Sequence, residues 1–333
     1  MCSGQCVLSA LDGEQQLTLA LNLLLCYLLD FLDSIAMSPA RSRSLWLLPL
    51  MHALAPPEPS QRVALVTGAN KGIGKAIALG LAESGATVIL ACRDRELGKT
   101  VESEFRDGGF DAVFQHLDLT QPDSMRAASE YCAREYGRLD ILVNNAAICF
   151  NDPTLYGRCA PTPFQQQARV TVETNFFGTL GVTRAMLPLL RASPSPRVIN
   201  IASAAGRLAI LRSPEILGAV TSSSLVESQL EQLMRDFVRD VEAGTHAEKG
   251  WPNTCYGLSK LGIIALTRIL ARDEPAIMVN SVDPGYCATD QNANQGFLSA
   301  ADGADTPLAL ALLPADAASA TGKHYHERAE IPW

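Results

Sequence analysis

From residue 62 onward, short apolar runs alternate with longer stretches in which apolar residues recur at helical spacing. The short runs predict six strands, at Val63–Val66, Thr87–Ala91, Ala112–Leu117, Leu139–Val143, Arg197–Ile201 and Ile277–Val282. The stretches between them predict helices near 73–84, 95–107, 122–136, 166–191 and 255–272. Strands that alternate with helices imply βαβ units, so the pattern predicts an α/β fold with a doubly wound parallel sheet. In such a fold, ligands bind at the carboxyl ends of the strands.

The first sixty residues have a different pattern. An uncharged run, Leu17–Leu29, is shorter than the about 20 apolar residues that a spanning helix needs, and acidic rather than basic residues precede it, unlike a secretory signal. We therefore expect residues 1–60 to be a dispensable or disordered extension of a single catalytic domain at 61–333. A peripheral membrane or partner-binding role for residues 17–54 and a spanning anchor stay open as alternatives and are not favoured.

A glycine-rich segment, Thr67–Gly74, joins the first predicted strand to the first predicted helix. Gly68 allows a sharp turn off the strand, Gly72 allows the backbone to approach a pyrophosphate, and Gly74 allows the helix to pack closely on the strand. The N–H groups that begin the helix then face the phosphate. The alternative is a strand–helix turn without a ligand. We favour a Rossmann-type dinucleotide site, formed here by Gly68, Asn70, Lys71, Gly72, Ile73 and Gly74.

The end of the second predicted strand distinguishes NADP(H) from NAD(H). An acidic residue there binds the ribose 2′-hydroxyl of NAD, whereas an arginine accommodates the 2′-phosphate of NADP. Cys92 stands in the acidic position and Arg93 follows it, while Lys71 adds a second positive charge. Asp94 is the counter-argument, and we expect it to cap the next helix instead. Lys71 and Arg93 therefore predict NADP(H).

A candidate catalytic group combines a phenol, an ammonium and a hydroxyl. Tyr256 and Lys260 are four residues apart, so they share one face of a predicted helix. We expect the ammonium to lower the pKa of Tyr256 from about 10 towards neutrality, which would make it a donor and acceptor of protons. Ser203 follows the fifth predicted strand, where its hydroxyl could hydrogen-bond a substrate carbonyl. The simpler alternatives are a surface pair on a helix and a serine that caps a loop.

These motifs resemble the short-chain dehydrogenase/reductase superfamily over about residues 62–333. The motifs that carry the resemblance, in the expected order, are Thr67–Gly74, Asn144–Ala146, Ser203, and Tyr256 with Lys260. Within the superfamily, Glu173–Thr179 and Gly250–Pro252 resemble the monomeric carbonyl reductase branch. The resemblance implies an NADPH-dependent reductase of ketones, aldehydes or quinones.

The resemblance also implies a role for each matching residue. Asn175 would hold a water that connects Lys260 to solvent. Ser203 would orient the carbonyl, and Tyr256 would protonate it. Lys260 would bind the nicotinamide ribose and tune Tyr256. The other implied cofactor contacts are Asp118, with Leu119 beside it, at the adenine, Asn145 at the fourth strand, Pro284 and Gly285 at the nicotinamide, and Thr289 near its carboxamide.

Two positions depart from the pattern of the superfamily, and one segment is unusually long. Ala147 stands where glycine is usual, and its extra methyl group could shift the backbone of the cofactor loop. Asp283 before Pro284 is also unusual and could alter substrate preference. Ser203 and Tyr256 lie 53 positions apart, far more than in most members. The extra segment, about 207–250, carries an apolar stripe at helical spacing.

We expect this insertion to pack as a helix on the core and to wall the substrate pocket near Trp251. The resemblance implies that it covers the face by which related enzymes form tetramers, so a monomer is predicted.

Composition limits the partners and the compartment that we expect for the protein. The chain has 27 basic and 35 acidic residues and a net charge of −8, so binding to nucleic acid is not expected. Nine scattered cysteines indicate a reducing, cytoplasmic location rather than a disulfide framework. His324 and His326 lack further ligands at metal spacing, so no metal is predicted. Two other functions stay open: an alcohol dehydrogenase of secondary or lipid metabolism, and a cofactor-binding regulatory protein without turnover.

Overall fold

A single sheet of eight strands organises the computed structural model, in which residues 61–150, 162–314 and 321–333 are described. The expectations for residues 1–60, including those for 17–54, lie outside these ranges. The strands are β1 (Val63–Thr67), β2 (Thr87–Cys92), β3 (Ala112–His116), β4 (Ile141–Asn144), β5 (Arg197–Ile201), β6 (Met278–Val282), β7 (His324–His326) and β8 (Ala329–Glu330). All six predicted strands are confirmed, with shifts of one or two residues at their ends.

The strand order is β3-β2-β1-β4-β5-β6-β7-β8, and β1 to β7 pair in parallel while β8 pairs antiparallel to β7. Because β1 lies between β2 and β4, the chain reverses its direction of winding there. A crevice opens at such a switch point, outside the carboxyl ends of the strands. The predicted doubly wound Rossmann-type sheet is therefore confirmed.

The flanking helices are α1 (Gly72–Glu83), α2 (Arg95–Asp107), α3 (Pro122–Tyr136), α4 (Phe164–Val172), α5 (Thr179–Arg191), α6 (Pro214–Thr221), α7 (Glu227–Glu242), α8 (Cys255–Asp273) and α9 (Ala300–Ala311). The prediction of one helix over 166–191 is wrong in one respect. A π-helical segment, Glu173–Gly178, separates α4 from α5. Such segments are rare and occur often at functional sites.

Local chemistry sets several helix boundaries. Asp94 accepts hydrogen bonds from the backbone N–H groups of Glu96 and Leu97, both at 3.0 Å, so it caps α2 as predicted. Pro122 occupies the first turn of α3, and Gly137, with φ of +69°, ends that helix in the left-handed region. These residues therefore set the start of α2 and both ends of α3.

Both faces of the sheet are covered. Along β1, Val63 and Leu65 contribute to one apolar core, whereas Ala64 and Val66 contribute to another. The first core contains residues of α3, α4, α5, α7 and α8, and the second contains residues of α1, α2 and α9. Alternating strand residues that are all buried are typical of a parallel sheet between two helical layers.

The insertion packs on the core as predicted. Leu230, Met234 and Phe237 of α7 have no exposed surface, and a Cβ added to Gly262 of α8 would lie 2.9 Å from the Met234 sulfur, so α7 and α8 approach closely. Within the described ranges, no helix combines the length and the hydropathy that crossing a membrane requires.

The prediction that the insertion walls the substrate pocket near Trp251 is wrong for that residue. Trp251 is 4% exposed, its ring packs at 5.7 Å from the Phe237 ring, and its Nε1 donates to Asp240 at 3.0 Å. The indole therefore belongs to the core of the insertion and does not line the cleft described below.

Candidate active site

A cleft of about 660 Å³ lies at the carboxyl ends of the parallel strands, where the switch point predicts a ligand. Its lining combines the loops that follow β1 to β6 with the first turns of α1 and α8. The predicted site residues that line it are Gly68, Asn70, Lys71, Gly72, Ile73, Gly74, Arg93, Asp118, Leu119, Asn145, Ser203, Tyr256, Lys260, Pro284, Gly285 and Thr289. Asn175 lies behind this surface.

The segment after β1 has the backbone that a phosphate-binding turn requires. Gly68 has φ of +68°, in the region that favours glycine. A Cβ added to Gly74 would lie 2.3 Å from the Gly68 carbonyl oxygen and 2.4 Å from Asn145 Nδ2, so only glycine fits there. The first turn of α1 therefore sits directly against the end of β1, with its N-terminus at the cleft.

Asn145 connects β4 to this turn. Its Nδ2 donates to the Thr67 carbonyl at 2.9 Å, and its backbone N–H donates to Thr67 Oγ1 at 2.9 Å. The same hydroxyl accepts from Ala146 N at 3.0 Å. Two neighbouring strands are thus fastened together at the point where both reach the cleft, which is the position that the sequence predicted for Asn145.

The two predicted cations have different surroundings. Lys71 Nζ lies 2.9 Å from Asp290 Oδ2, and both side chains are mostly exposed. Arg93 is exposed at the cleft, and no ion pair is found for it among the described residues. Between them, Cys92 is buried, and burial raises the pKa of its thiol to about 11. The rim of the cleft therefore carries one neutralised cation and one uncompensated cation.

Asp118 organises the turn that follows β3. Its Oδ1 accepts from the backbone N–H of Thr120 at 2.9 Å and from the Thr120 hydroxyl at 2.8 Å. Its Oδ2 accepts from Gln121 at 3.3 Å. Leu119, which is 8% exposed, follows it at the cleft surface. Because both carboxylate oxygens are engaged, the turn holds a fixed shape at this end of the cleft.

Tyr256 and Lys260 project from the first turns of α8. The helix begins at Cys255, and Thr254 caps it by accepting from the Gly257 N–H at 2.9 Å. Lys260 is 4% exposed, and its Nζ donates to the Ile201 carbonyl at 2.7 Å and lies 5.6 Å from the centroid of the Tyr256 ring. Lys260 is therefore buried and Tyr256 half-buried at the cleft, so the predicted helical pair is not displayed on the outer surface.

The predicted direction of the tyrosine shift is wrong in this geometry. Burial raises the pKa of Tyr256 above its ordinary value of about 10, and the thiol of Cys149 acts in the same direction. The Lys260 ammonium faces the ring and a backbone carbonyl, so it does not reverse this effect. Burial also lowers the pKa of Lys260 to about 8. Tyr256 is therefore neutral and protonated at pH 7.

Two side chains oppose the effect of burial on Tyr256. Gln291 and Ser203 both act to lower its pKa. Ser203 itself has extended backbone after β5, and its Oγ accepts from the Ala205 N–H at 3.2 Å. Ser203 lies at the end of β5 and Gln291 lies in the loop after β6, and both line the cleft with Tyr256.

Asn175 is tied to two elements from within the π-helical segment. Its Oδ1 accepts from the Ile148 N–H at 2.8 Å, and its Nδ2 donates to the Ile148 carbonyl at 2.8 Å and to Ser259 Oγ at 3.1 Å. The residue is 1% exposed. Both amide hydrogens are therefore used to join the loop after β4 to the helix that carries Lys260.

The two departures from the pattern have simple surroundings. Ala147 lines the cleft, and its backbone lies outside the left-handed region, so its methyl group causes no strain. Asp283 is 7% exposed, and its Oδ1 accepts from the Gly285 N–H at 3.1 Å. Asp283 therefore stabilises the Pro284–Gly285 turn from behind and does not line the cleft.

Sequence reasoning missed several residues of the cleft, above all Gln291, Cys149 and Tyr286. They come from loops whose paths depend on tertiary packing, and nothing in their own sequence marked them. Burial raises the pKa of Cys149, while Lys260 acts in the opposite direction. Within the described residues, the cysteines are free thiols, and no group of three or more His, Cys, Asp or Glu residues is placed to hold a metal.

Comparison with known proteins identifies similar sequences. A model of the short chain dehydrogenase family matches residues 62–214. Carbonyl reductase (NADPH) 1 of Mus musculus is 41% identical over 284 residues, which cover 82% of this chain and 99% of that protein. Carbonyl reductase (NADPH) 3 of Rattus norvegicus is 40% identical over 280 residues, which cover 82% of this chain and 98% of that protein.

Solved structures give the same picture. Salutaridine reductase from Papaver somniferum superposes with a TM-score of 0.73 at 28% identity, covering 80% of this chain and 99% of that chain. Menthone neomenthol reductase from Mentha piperita superposes with a TM-score of 0.69 at 31% identity, with the same coverage of both chains. The similarity thus extends over nearly the full length of each of these reductases.

Proposed function

Because this chain belongs to the short-chain dehydrogenase family, as a carbonyl reductase-like member, we propose that it reduces ketones, aldehydes or quinones with NADPH. The observation that carries the proposal is the convergence of Ser203, Tyr256 and the buried Lys260 on the cleft that the glycine-rich turn opens. A protein that only binds a dinucleotide would need the turn but not this buried ammonium, which costs stability.

The cleft suits NADP(H). The N-terminus of α1 offers backbone N–H groups to a pyrophosphate, and the missing side chain of Gly74 lets the helix approach. Arg93 and Lys71 would hold the 2′-phosphate, and Asp118 with Leu119 would bound the adenine. Pro284, Gly285 and Thr289 would flank the nicotinamide, beside Tyr256 and Lys260.

When bound, NADPH supplies the hydride for the carbonyl carbon. Tyr256 donates the proton to the carbonyl oxygen, and Ser203 holds that oxygen by a hydrogen bond. Since burial keeps Tyr256 protonated at neutral pH, the side chain is in the form that reduction consumes. Lys260 binds the cofactor ribose and holds a positive charge near the phenol when protonated.

The alternative function is oxidation of an alcohol. It would need Tyr256 as a base, and burial opposes formation of the phenolate. Asn175 acts in either direction as a positioning residue, because its amide joins the Ile148 loop to Ser259, next to Lys260. We also propose that Asn175 holds a water that connects Lys260 to solvent, as the family resemblance implies.

We also propose that residues 61–333 form one catalytic domain, which acts as a monomer in the cytoplasm. The monomer is supported by α7 of the insertion. This helix buries Leu230, Met234 and Phe237 against α4 and α8, and so covers the face that these two helices present. Light scattering during size-exclusion chromatography tests the oligomeric state, and a dimer or tetramer would contradict this part.

The test of the function is a panel of ketones, quinones and aldehydes, with NADPH consumption followed by absorbance. Tyr256→Phe should lose about 10²- to 10⁴-fold in kcat, the contribution of a positioned general acid, while its Kd for NADPH stays near wild type. Tyr131→Phe removes a hydroxyl from α3, outside the cleft lining, and should leave turnover unchanged. Turnover that survives in Tyr256→Phe would contradict the mechanism.

A further inference from the structure

An aspartate and a histidine meet behind the turn that would flank the nicotinamide. Asp283 follows β6 directly and precedes Pro284 and Gly285, which line the cleft. Its side chain is 9% exposed, and its backbone N–H donates to the Tyr325 carbonyl of β7 at 2.8 Å. The next residue of β7, His326, therefore lies beside it. Neither Asp283 nor His326 lines the cleft itself.

The imidazole of His326 has acceptors on both sides. Its Nδ1 lies 3.1 Å from the Asp283 carbonyl oxygen and 3.8 Å from Asp283 Oδ2, and its Nε2 lies 3.8 Å from Glu327 Oε1. Because a carbonyl and a carboxylate can only accept, Nδ1 carries the hydrogen and donates it to the Asp283 carbonyl. A second proton, on Nε2, would meet the Glu327 carboxylate. These surroundings therefore suit both the neutral and the charged imidazole.

The other ionisable groups around this pair are neutral or already paired. Across the described part of the chain, no lysine or arginine forms an ion pair with Asp283. Burial lowers the pKa of His324 on the same strand, and burial raises the pKa of the Cys287 thiol to about 11. Arg328, in the turn between β7 and β8, is paired with Asp305. The net charge behind the turn therefore depends on the protonation of His326.

The carboxylate and the imidazole both adjoin Gly285. Asp283 Oδ1 accepts from the Gly285 N–H at 3.1 Å, and Gly285 has φ of +79°, in the region that favours glycine. A Cβ added to Gly285 would lie 3.6 Å from His326 Cε1, so the imidazole packs against the same residue. The two ionisable side chains are therefore separated from the nicotinamide end of the cleft by a single turn of backbone.

We propose that Asp283 and His326 are a pair of positioning residues that sets the balance between the oxidised and the reduced cofactor according to pH. The inference rests on the proposed function. When a hydride leaves C4 of NADPH with its electron pair, the neutral dihydronicotinamide becomes a positively charged ring. A carboxylate behind Pro284–Gly285 stabilises that charge and so favours NADP⁺ over NADPH. A proton on His326 neutralises the pair and removes the preference.

This arrangement links the strength of the hydride donor to pH. Histidines titrate between about pH 5 and pH 8, so the pair carries a net negative charge only above that transition. Bound NADPH is then the stronger donor, since the cation that it leaves is stabilised. The low exposure of the Asp283 carboxylate makes the effect larger, because water screens a buried charge less than an exposed one.

The test measures the Kd of NADP⁺ and the Kd of NADPH by isothermal titration calorimetry between about pH 6 and pH 8.5. The 2′-phosphate is common to both cofactors, so its titration cancels in the ratio of the two constants. Asp283→Asn keeps an oxygen that can accept from the Gly285 N–H but removes the charge. At pH 8 it should raise the ratio of Kd for NADP⁺ to Kd for NADPH by roughly 3- to 10-fold, the effect of one poorly screened charge that does not touch the ring. Asp283→Ser, which keeps a smaller acceptor, should act in the same direction.

His326→Asn tests the dependence on pH, because its amide N–H can replace the Nδ1–H group but gains no charge. In wild type the ratio should fall as the pH rises from 6 to 8.5, whereas in His326→Asn it should stay near the high-pH value. Glu330→Gln is the matched control, since it removes an exposed carboxylate from β8, and its ratio should equal that of wild type at every pH.

Binding is measured instead of rate because Asp283 also acts on the proton donor. Burial is the main cause of the raised pKa of Tyr256, and the Asp283 carboxylate adds to it. The proposal is overturned if both Asp283 variants stay within twofold of the wild-type ratio at pH 8, or if His326→Asn keeps the wild-type pH dependence. Failure of the proposed function is distinguishable, because the ratio needs no turnover, whereas retained turnover in Tyr256→Phe would contradict the function whatever the ratio.

Discussion

The ammonium of Lys260 donates a hydrogen bond to the backbone carbonyl of Ile201, with 2.7 Å between Nζ and the oxygen. Ile201 is the last residue of β5, two positions before Ser203. This one contact therefore fixes the position of the helix that carries Tyr256 relative to the strand that ends just before Ser203. The partner is a neutral carbonyl, so it does not compensate the charge of an ammonium that is 4% exposed.

This burial predicts a specific dependence of stability on pH. The pKa of Lys260 falls from 10.5 to about 8 in the folded protein, so the unfolded chain binds more protons at this site between those values. Stability from this residue is therefore lowest below pH 8 and rises up to pH 10.5, by roughly 3 kcal/mol in total. Lys260→Met removes the effect, so the stability of the variant relative to wild type should fall by that amount between pH 8 and pH 10.5.

Urea denaturation at several pH values measures this difference directly. Lys99→Met, which changes an exposed lysine on α2, should differ from wild type by the same small amount at every pH. The Lys260 variant should also lose turnover, because the cofactor ribose and Tyr256 lose their cation. A stability difference between Lys260→Met and wild type that is constant from pH 7 to pH 10.5 would contradict the prediction.

The hydrophobic pattern predicted β1, β2, β4, β5 and β6 because every residue in these strands is buried, as in a parallel sheet covered on both faces. It also predicted β3, although this edge strand is mostly only partly buried. It missed β7 and β8, because strands of three and two residues are too short to show a period. The π-helical segment was also missed. A Cβ on Gly178 would lie 2.5 Å from the Leu119 carbonyl oxygen, and a close tertiary contact of this kind leaves no trace in the local pattern.

Arg93 should contribute more than Lys71 to the choice of NADPH over NADH. Lys71 is already paired with Asp290 at 2.9 Å, whereas no ion pair in the described structure neutralises Arg93. A charge-assisted hydrogen bond to phosphate is worth about 1.5–3 kcal/mol. Arg93→Ala should therefore lower the NADPH-to-NADH ratio of kcat/KM by about 10- to 100-fold, and Lys71→Ala by less than about tenfold.

Steady-state kinetics with both cofactors give these ratios, and the two alanine variants serve as controls for each other. Arg93→Asp should shift the preference further towards NADH, since it places a carboxylate where NAD-specific enzymes have one. Equal losses in the two alanine variants, or a larger loss in Lys71→Ala, would show that the Asp290 pair opens when the cofactor binds.

Asp240 should stabilise the insertion without affecting catalysis. The carboxylate is 3% exposed and accepts from Trp251 Nε1 at 3.0 Å and Lys249 Nζ at 2.7 Å. Although burial opposes ionisation, the hydrogen bonds from Lys249, Trp251 and Arg239 hold the pKa of Asp240 below its usual value. Its stabilising effect is therefore present above the unfolded pKa of 3.8 and is lost as the pH falls through the lower, folded value.

Asp240→Ala should lower the unfolding free energy at pH 7 by about 1–3 kcal/mol, because the buried indole N–H loses its acceptor. Asp236→Ala, which removes a more exposed carboxylate on the same helix, should change it by less than about 0.5 kcal/mol. The kcat of the folded Asp240 variant should equal that of wild type, since neither Asp240 nor Trp251 lines the cleft. A fall in kcat with unchanged stability would show instead that Asp240 acts in catalysis and not in stability.

The motif residues of the site could be predicted because their chemistry is tied to short, fixed spacings. Tyr256 and Lys260 share a helix face, and the glycines after β1 serve one turn. Gln291 could not be predicted, since its position depends on how Asn292 and Asp290 anchor a loop to distant elements. The direction of the Tyr256 shift was also beyond the sequence, because it depends on burial and on where the Lys260 ammonium points.

Ala147 should prove to be a neutral departure from the family pattern. The loop is fastened on both sides of it, through Asn145 to Thr67 and through Ile148 to Asn175, and its own backbone lies outside the left-handed region. Glycine is therefore not needed at this position. Ala147→Gly should lower the unfolding free energy by about 0.4–1 kcal/mol through the greater freedom of the unfolded chain, and should change the KM for NADPH by less than about twofold, since no contact of the anchored loop is lost.

Ala146→Gly is the matched comparison, because the methyl group of Ala146 packs against the core and lies 3.2 Å from the Cβ position of Gly68. That variant should lose more stability than Ala147→Gly, since it removes buried contacts as well. Thermal unfolding of both variants measures the loss of stability, and steady-state kinetics measure the KM for NADPH. If Ala147→Gly improves the KM for NADPH several-fold, the methyl group must obstruct the cofactor, and the anchored loop would then have to shift when the cofactor binds.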